Sequence, residues 1–246
     1  MKKAILILSI FFNVSWCFAE ATPQTLLSTS KQLIIVSTSD WGSVNGQMQR
    51  FTRDSTQSSW KAVGNSIPVV IGKNGMGWDL HFKNSQDTSP IKQEGDGRTP
   101  IGVYAIGPMF GFDKESHNKT DYFPLTDTSV CVDDVKSSFY NKLIDSVHVA
   151  KKDWNSGEQM RQVPQYKWGA VVQYNATPVT IGAGSCIFMH IWKGPNSGTA
   201  GCVAMDVSNL QTTLSWLNSR DNPVIVIFPK QLALKLNSQW GLPHVI

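Results

Sequence analysis

Charge is scarce in this sequence. Asp, Glu, Lys and Arg make up 16 % of its 246 residues, and the formal net charge is only +4. No cluster of Lys and Arg stands along the chain, so the electrostatic footprint that nucleic-acid binding needs is missing. Cysteine is scarce too, with four in all and no C-x-x-C pair, which speaks against a typical structural zinc site. Beyond the N-terminal stretch, no apolar run is long enough to span a bilayer. No phosphate loop or dinucleotide fingerprint is present. The glycine-bearing stretch EGDGRTPIGVYAIG, residues 94–107, has the wrong spacing for either and reads as an architectural turn before a strand. There is no internal repeat and no linker.

Apolar residues make up 41 % of the chain, enough for a folded globular protein. Gly, Pro, Ser, Thr and Asn are plentiful and Trp is frequent, which favours a turn-rich β protein. The N-terminus, MKKAILILSIFFNVSWCFAEA, has a basic start at Lys2 and Lys3, an apolar stretch from Ala4 to Phe18, and Ala19-Glu20-Ala21 with small residues at both cleavage positions. It reads as a secretory signal peptide, residues 1–21. Trp16 before Cys17 argues against a lipoprotein. Cleavage lowers the +4 formal charge by one and leaves residues 22–246 as one β-rich domain. Of the cysteines, Cys131, Cys186 and Cys202 remain. In an oxidising compartment an odd number leaves one thiol free or bonded to another chain.

Hydrophobic patterning predicts strands at 31–38, 46–54, 60–63, 68–71, 101–106, 166–174, 185–192 and 223–228. Asn45-Gly46 reads as a hairpin turn, Gly72–Trp78 as a loop, and SSFYNKLID as a short helix. Residues 113–168 form a long polar excursion, of the kind that is often functional. Leu210, Leu214 and Leu217 recur at helical spacing, so 207–219 reads as an amphipathic helix capped by Asp206 or Ser208. A short helical tail follows the last strand.

Two residues carry potential chemistry. His190 closes the apolar run SCIFMHIW, and Cys202 follows the small residues Thr199-Ala200-Gly201. An imidazole can take a thiol proton and later return it to a leaving amine. The small residues let backbone approach a substrate, and the helix start just beyond Cys202 would favour a thiolate. The bland reading is a buried thiol beside a satisfied core histidine. A zinc site from Cys186, His190, Cys202 and Asp206 is a further alternative. His81, His117, His148 and His244 read as surface or core residues, and Asp133 and Asp134 as solvated or turn-forming.

These residues carry a resemblance. His190, the turn Thr199-Ala200-Gly201, Cys202 and Val203-Ala204-Met205, together with EGDGRTPIGVY, resemble the L,D-transpeptidase catalytic-domain family, also called YkuD-like. The likeness runs from about Leu33 to Phe228. The family signature has His, a glycine-rich connection, then Ser-His/Arg-Gly-Cys-Ile/Val-Arg. Here Ile191 stands where Gly is common, Thr199-Ala200 replaces Ser-His/Arg, Ala204 replaces the arginine, and the gap from His to Cys is shorter. TAGCVAM marks a divergent branch.

The resemblance implies a mainly β fold, a β-sandwich of mixed sheets with a few short helices. It implies action on peptidoglycan stem peptides in the periplasm or cell envelope, with no cofactor and no metal, since one amide is exchanged for another. Cys202 would be the nucleophile and His190 the general base, with Gly201 and the Cys202 N–H at the oxyanion. The Ile191 carbonyl would orient the imidazole. Trp192 and Lys193 would contact substrate in place of the missing arginine, with Ser185 and Thr199 as supporting hydroxyls. Cys131 and Cys186 would pair and leave Cys202 free. The rival outcomes are an L,D-carboxypeptidase using the same residues and an inactive peptidoglycan-binding protein. A papain-like protease has its nucleophile before its histidine, the reverse of the order here.

Overall fold

A computed structural model of the chain describes residues 22–83, 87–115 and 120–243. The expected signal peptide, His117 and His244 lie outside the described residues. The first element, helix α1 (Pro23–Thr29), has no counterpart in the sequence reading. Thr22 caps it, its hydroxyl accepting the Thr25 N–H at 3.2 Å, and Pro23 occupies the first turn, where a missing N–H costs nothing. Strand β1 (Gln32–Thr38) is buried along its whole length, as its Leu-Ile-Ile-Val run demands. It pairs antiparallel with β2 (Asn45–Thr52), which pairs antiparallel with β3 (Lys61–Val70).

Asn45-Gly46 is not the hairpin turn. Both residues lie in β2, and the turn precedes them, where the Asp40 carboxylate accepts the N–H groups of Gly42 and Ser43 at 2.9 and 2.8 Å. Gly46 is needed for a different reason, since a Cβ there would stand 2.8 Å from the Ser37 carbonyl. The two short strands expected at 60–63 and 68–71 are one strand, β3, with a register shift opposite Met48 and Arg50. The glycine loop at 72–78 ends in a short strand, β4 (Met76–Trp78), beside the start of β5 (Thr99–Gly111).

β5 closes the architecture. One half, up to Ala105, pairs with β13 (Val224–Pro229), and the other, from Ile106 on, pairs with β10 (Trp168–Val172) and with β6 (Tyr122–Pro124). The small sheet is β8–β7–β9, from β7 (Ser129–Cys131), β8 (Leu143–Asp145) and β9 (Glu158–Gln159). The excursion at 113–168 therefore carries structure of its own. SSFYNKLID is not a helix, because Asn141 takes a left-handed φ of 62° and the chain turns there into β8. Then come β10 (Trp168–Val172), β11 (Phe188–Ile191), β12 (Val203–Met205), helix α2 (Val207–Trp216), β13 (Val224–Pro229) and helix α3 (Ala233–Trp240).

The chain is mainly β with few helices. The main strands form one mixed sheet closed on itself, in the order β10, β11, β12, β3, β2, β1, β13, β5 and back to β10. The expected pair of sheets is thus joined by hydrogen bonds, because β5 is long enough to serve two neighbours. Ile225, Val226 and Ile227 of β13 are fully buried, and Leu210 and Leu214 of α2 enter the same core. Each such side chain contributes about 1.5–3 kcal/mol. A disulfide joins Cys131 of β7 to Cys186, just before β11, and leaves Cys202 a free, buried thiol.

Candidate active site

β11 and β12 are parallel neighbours, with Met189 opposite Val203 and His190 opposite Ala204. Side chains alternate along a strand. Met189, Val203 and Met205 point into the main core, while Phe188 and Cys202 join a second cluster with Phe110, Tyr166 and Cys186. This alternation turns His190 and Cys202 to the same side of the sheet. Both line a cavity of about 460 Å³. Gly201, Trp192, Lys193, Thr199 and Ser185 line it as well, so one cavity collects the residues expected to carry out catalysis and contact substrate.

His190 is 7 % exposed, and its Nδ1 lies 2.8 Å from the Ile191 carbonyl. A carbonyl only accepts, so Nδ1 carries the proton and Nε2 presents a lone pair. Burial lowers the imidazole to about 4, the Lys193 charge works in the same direction, and the Ile191 carbonyl opposes them. The ring is therefore neutral at neutral pH and able to accept a proton.

Cys202 rests as a neutral thiol. Burial pushes it up from its ordinary range, the Glu158 charge adds to this, and the Phe188 N–H and Lys92 oppose. Its Sγ accepts the Phe188 N–H at 3.3 Å and donates to the Cys186 carbonyl at 3.4 Å. The helix start expected to favour a thiolate does not reach it. β12 intervenes, and Asp206 closes the N-terminus of α2 by accepting the Ser208 and Asn209 N–H groups at 2.9 and 3.0 Å.

The turn before Cys202 is held internally. The Gly201 N–H donates to the Thr199 hydroxyl at 3.1 Å, and that hydroxyl donates to the Cys202 carbonyl at 2.7 Å. Gly201 thus lines the cavity with its amide already engaged, and Thr199 serves the turn. Thr99 ties the turn to β5, donating to the Gly201 carbonyl at 2.7 Å while accepting the Gly72 N–H at 2.8 Å. The zinc alternative fails on its ligands, since Cys186 is bonded to Cys131 and the Asp206 carboxylate caps a helix.

Sequence reasoning missed part of the wall. Glu94, Gly95 and Gly97 of the turn taken as architectural line the cavity, as do Lys92, Asp133, Glu158 and Tyr166. Lys92 is 3 % exposed and reaches Asp96 at 2.7 Å. Only the folding of the excursion brings Asp133, Glu158 and Tyr166 here; no local pattern marks Glu158 or Tyr166, and Asp133, expected as solvated or turn-forming, lines the cavity instead. Asp134 does form a turn, accepting the Lys136 and Asn155 N–H groups at 2.9 and 2.8 Å.

The family model described as the L,D-transpeptidase catalytic domain, YkuD, matches residues 32–226. The chain belongs to the YkuD family. The match runs from the start of β1 into β13 and includes both His190 and Cys202. No curated protein and no solved structure matches the chain. The YkuD family is of the L,D-transpeptidase type and acts on cell-wall peptidoglycan, outside the cytoplasm. Among the described residues, no helix is long and apolar enough to cross a membrane.

Proposed function

We propose that this chain is a cysteine L,D-transpeptidase acting on peptidoglycan stem peptides in the periplasm or cell envelope. Residues 1–21 serve as its signal peptide and 22–246 as one catalytic domain. The observation that carries the reading is the placement of His190, buried with its Nδ1 2.8 Å from the Ile191 carbonyl, in the cavity that also holds the Cys202 thiol.

The steps follow from that placement. Substrate entry draws the thiol away from the Cys186 carbonyl, and His190 Nε2 takes its proton. Sulfur attacks the carbonyl at the L-centre of the third stem residue. The Cys202 N–H faces the developing oxyanion, and the Gly201 N–H joins it only by leaving Thr199. The imidazolium gives its proton to the departing D-alanine amine, and a thioacyl-enzyme remains. The amine of a second stem resolves it to a 3,3 cross-link, or water resolves it to a trimmed peptide. Trp192 and Lys193 at the rim, and Ser185 deeper in, contact the stem.

The test is incubation of the purified protein with disaccharide-tetrapeptide, followed by mass spectrometry, beside Cys202→Ala. A 3,3-linked dimer absent from the control supports the transpeptidase. Tripeptide with free D-alanine means the L,D-carboxypeptidase outcome. Binding of the muropeptide without turnover means a non-catalytic peptidoglycan-binding protein and would sink the proposal.

A further inference from the structure

The small sheet reaches both reacting side chains. On one side, Cys131 of β7 is bonded to Cys186, whose carbonyl accepts a hydrogen bond from the Cys202 thiol. On the other, Glu158 of β9 stands opposite Cys131 in register, and its Oε2 accepts the Tyr166 hydroxyl at 2.7 Å. The Tyr166 ring meets the His190 ring edge to face, with centroids 5.1 Å apart and planes at 78°. Tyr166 is itself buried, and its ring also packs on Phe110 and Phe188 at 5.8 and 5.5 Å.

The backbone places Tyr166 there by necessity. It sits in the short turn Pro164–Lys167, which leads directly into β10, and β10 pairs Gly169 with His190. A Cβ at Gly169 would stand 2.3 Å from the Phe110 ring, so the glycine lets the aromatic group close over this strand. A hydrogen bond at Nδ1 fixes the imidazole tautomer. The χ2 torsion of a histidine is nevertheless broad, and a general base must hold its lone pair within a narrow range of positions. A ring packed on the imidazole supplies that second restraint, provided the ring is itself anchored.

We propose that Glu158 and Tyr166 form the positioning pair of His190, with Glu158 anchoring the Tyr166 hydroxyl and the Tyr166 ring holding the imidazole with Nε2 turned to the cavity. The inference rests on the reading of His190 and Cys202 as the reacting pair. It gives the excursion its role, because one small sheet holds the nucleophile through the disulfide and the base through Glu158. Burial raises the Glu158 carboxyl from its ordinary range. The anchor needs only an acceptor oxygen, which the amide of glutamine also provides.

The experiment compares Glu158→Ala, Glu158→Gln and Tyr166→Phe in the full chain by turnover of disaccharide-tetrapeptide, by thermal midpoint and by nitrogen NMR of His190. Glu158→Ala and Tyr166→Phe are expected to lower kcat/KM roughly tenfold, mostly in kcat, with Glu158→Gln within about twofold of wild type. The His190 ring signals are expected to change from one set to a mixture of ring orientations in the alanine and phenylalanine variants, and the loss of kcat is expected to exceed what any fall in thermal midpoint accounts for. Equal losses in Glu158→Gln and Glu158→Ala would overturn the proposal, because Glu158 would then act through its charge. A His190 spectrum unaltered by both Glu158→Ala and Tyr166→Phe would also overturn it. The NMR readout needs no turnover. An inactive wild type whose His190 ring signals still depend on Glu158 refutes the enzyme reading and leaves the positioning pair standing.

Discussion

At the scale of single residues, protonation states govern the site. His190 titrates at about 4 in the fold against 6.5 for a free imidazole. Between these values the unfolded chain binds the proton and the folded chain does not, so stability rises with pH across that window. The full contribution is present above about pH 6.5 and lost as pH falls towards about 4, and it amounts to about 3 kcal/mol. Urea unfolding at pH 4.5 and pH 7 should show a larger gain for wild type than for His190→Asn, and equal gains would refute the buried neutral imidazole. Cys202 gives a second prediction. A thiol raised by burial should react with iodoacetamide at a rate that climbs through pH 8 without a plateau near neutrality, whereas a preformed ion pair would plateau. The sequence offered His190 and Cys202 as a pair because each stands beside residues that suit the chemistry. It misjudged the thiol, since the distance to a helix start is legible in a sequence and the burial of one sulfur is not.

At the scale of elements, the long strands were legible, while the short β4 and β12 and the strands inside the excursion were not. The β-branched runs of β1 and β13 have both faces covered, so composition alone marks them. β5 runs past the end expected at Ile106 and on to Gly111, because the Gly107-Pro108 break signal is overridden where the strand passes from β13, at Ala105, to β10, from Ile106. The helix expected at SSFYNKLID failed on a tertiary contact. Asn141 holds its left-handed turn by bonding the Tyr174 and Asn175 carbonyls and the Cys186 N–H. That last bond also fixes the residue whose carbonyl receives the Cys202 thiol. The disulfide closes a span of 55 residues between the small sheet and the active-site strand. Replacing both cysteines by serine should cost about 2–5 kcal/mol in chemical denaturation. Activity of the still-folded fraction should fall as well, since the Cys186 carbonyl loses its tether. Full activity per folded molecule would mean that the small sheet plays no part in the chemistry.

At the scale of the whole molecule, the site depends on segments far apart in the chain meeting at one threonine. Thr99 begins β5 and is fully buried. It donates to Gly201, 102 residues away, and accepts from Gly72, 27 residues away. Closure of the sheet is what brings these three segments together. The glycine loop, the Thr-Pro strand start and the nucleophile turn are separate motifs in the sequence and one hydrogen-bonded unit in the fold. Removing the hydroxyl leaves a buried carbonyl and a buried N–H without partners, at a cost of about 1–3 kcal/mol for each such group. Thr99→Ala should therefore lower stability and lower kcat beyond the loss of folded protein, because the Gly201–Cys202 backbone is freed. Thr99→Ser keeps the hydroxyl and should restore most of kcat while remaining slightly less stable, through the lost methyl group. Steady-state kinetics normalised to folded protein distinguish the two effects. If Thr99→Ala loses stability and keeps its kcat, the threonine supports the fold alone, and the nucleophile turn is held by Thr199 without it.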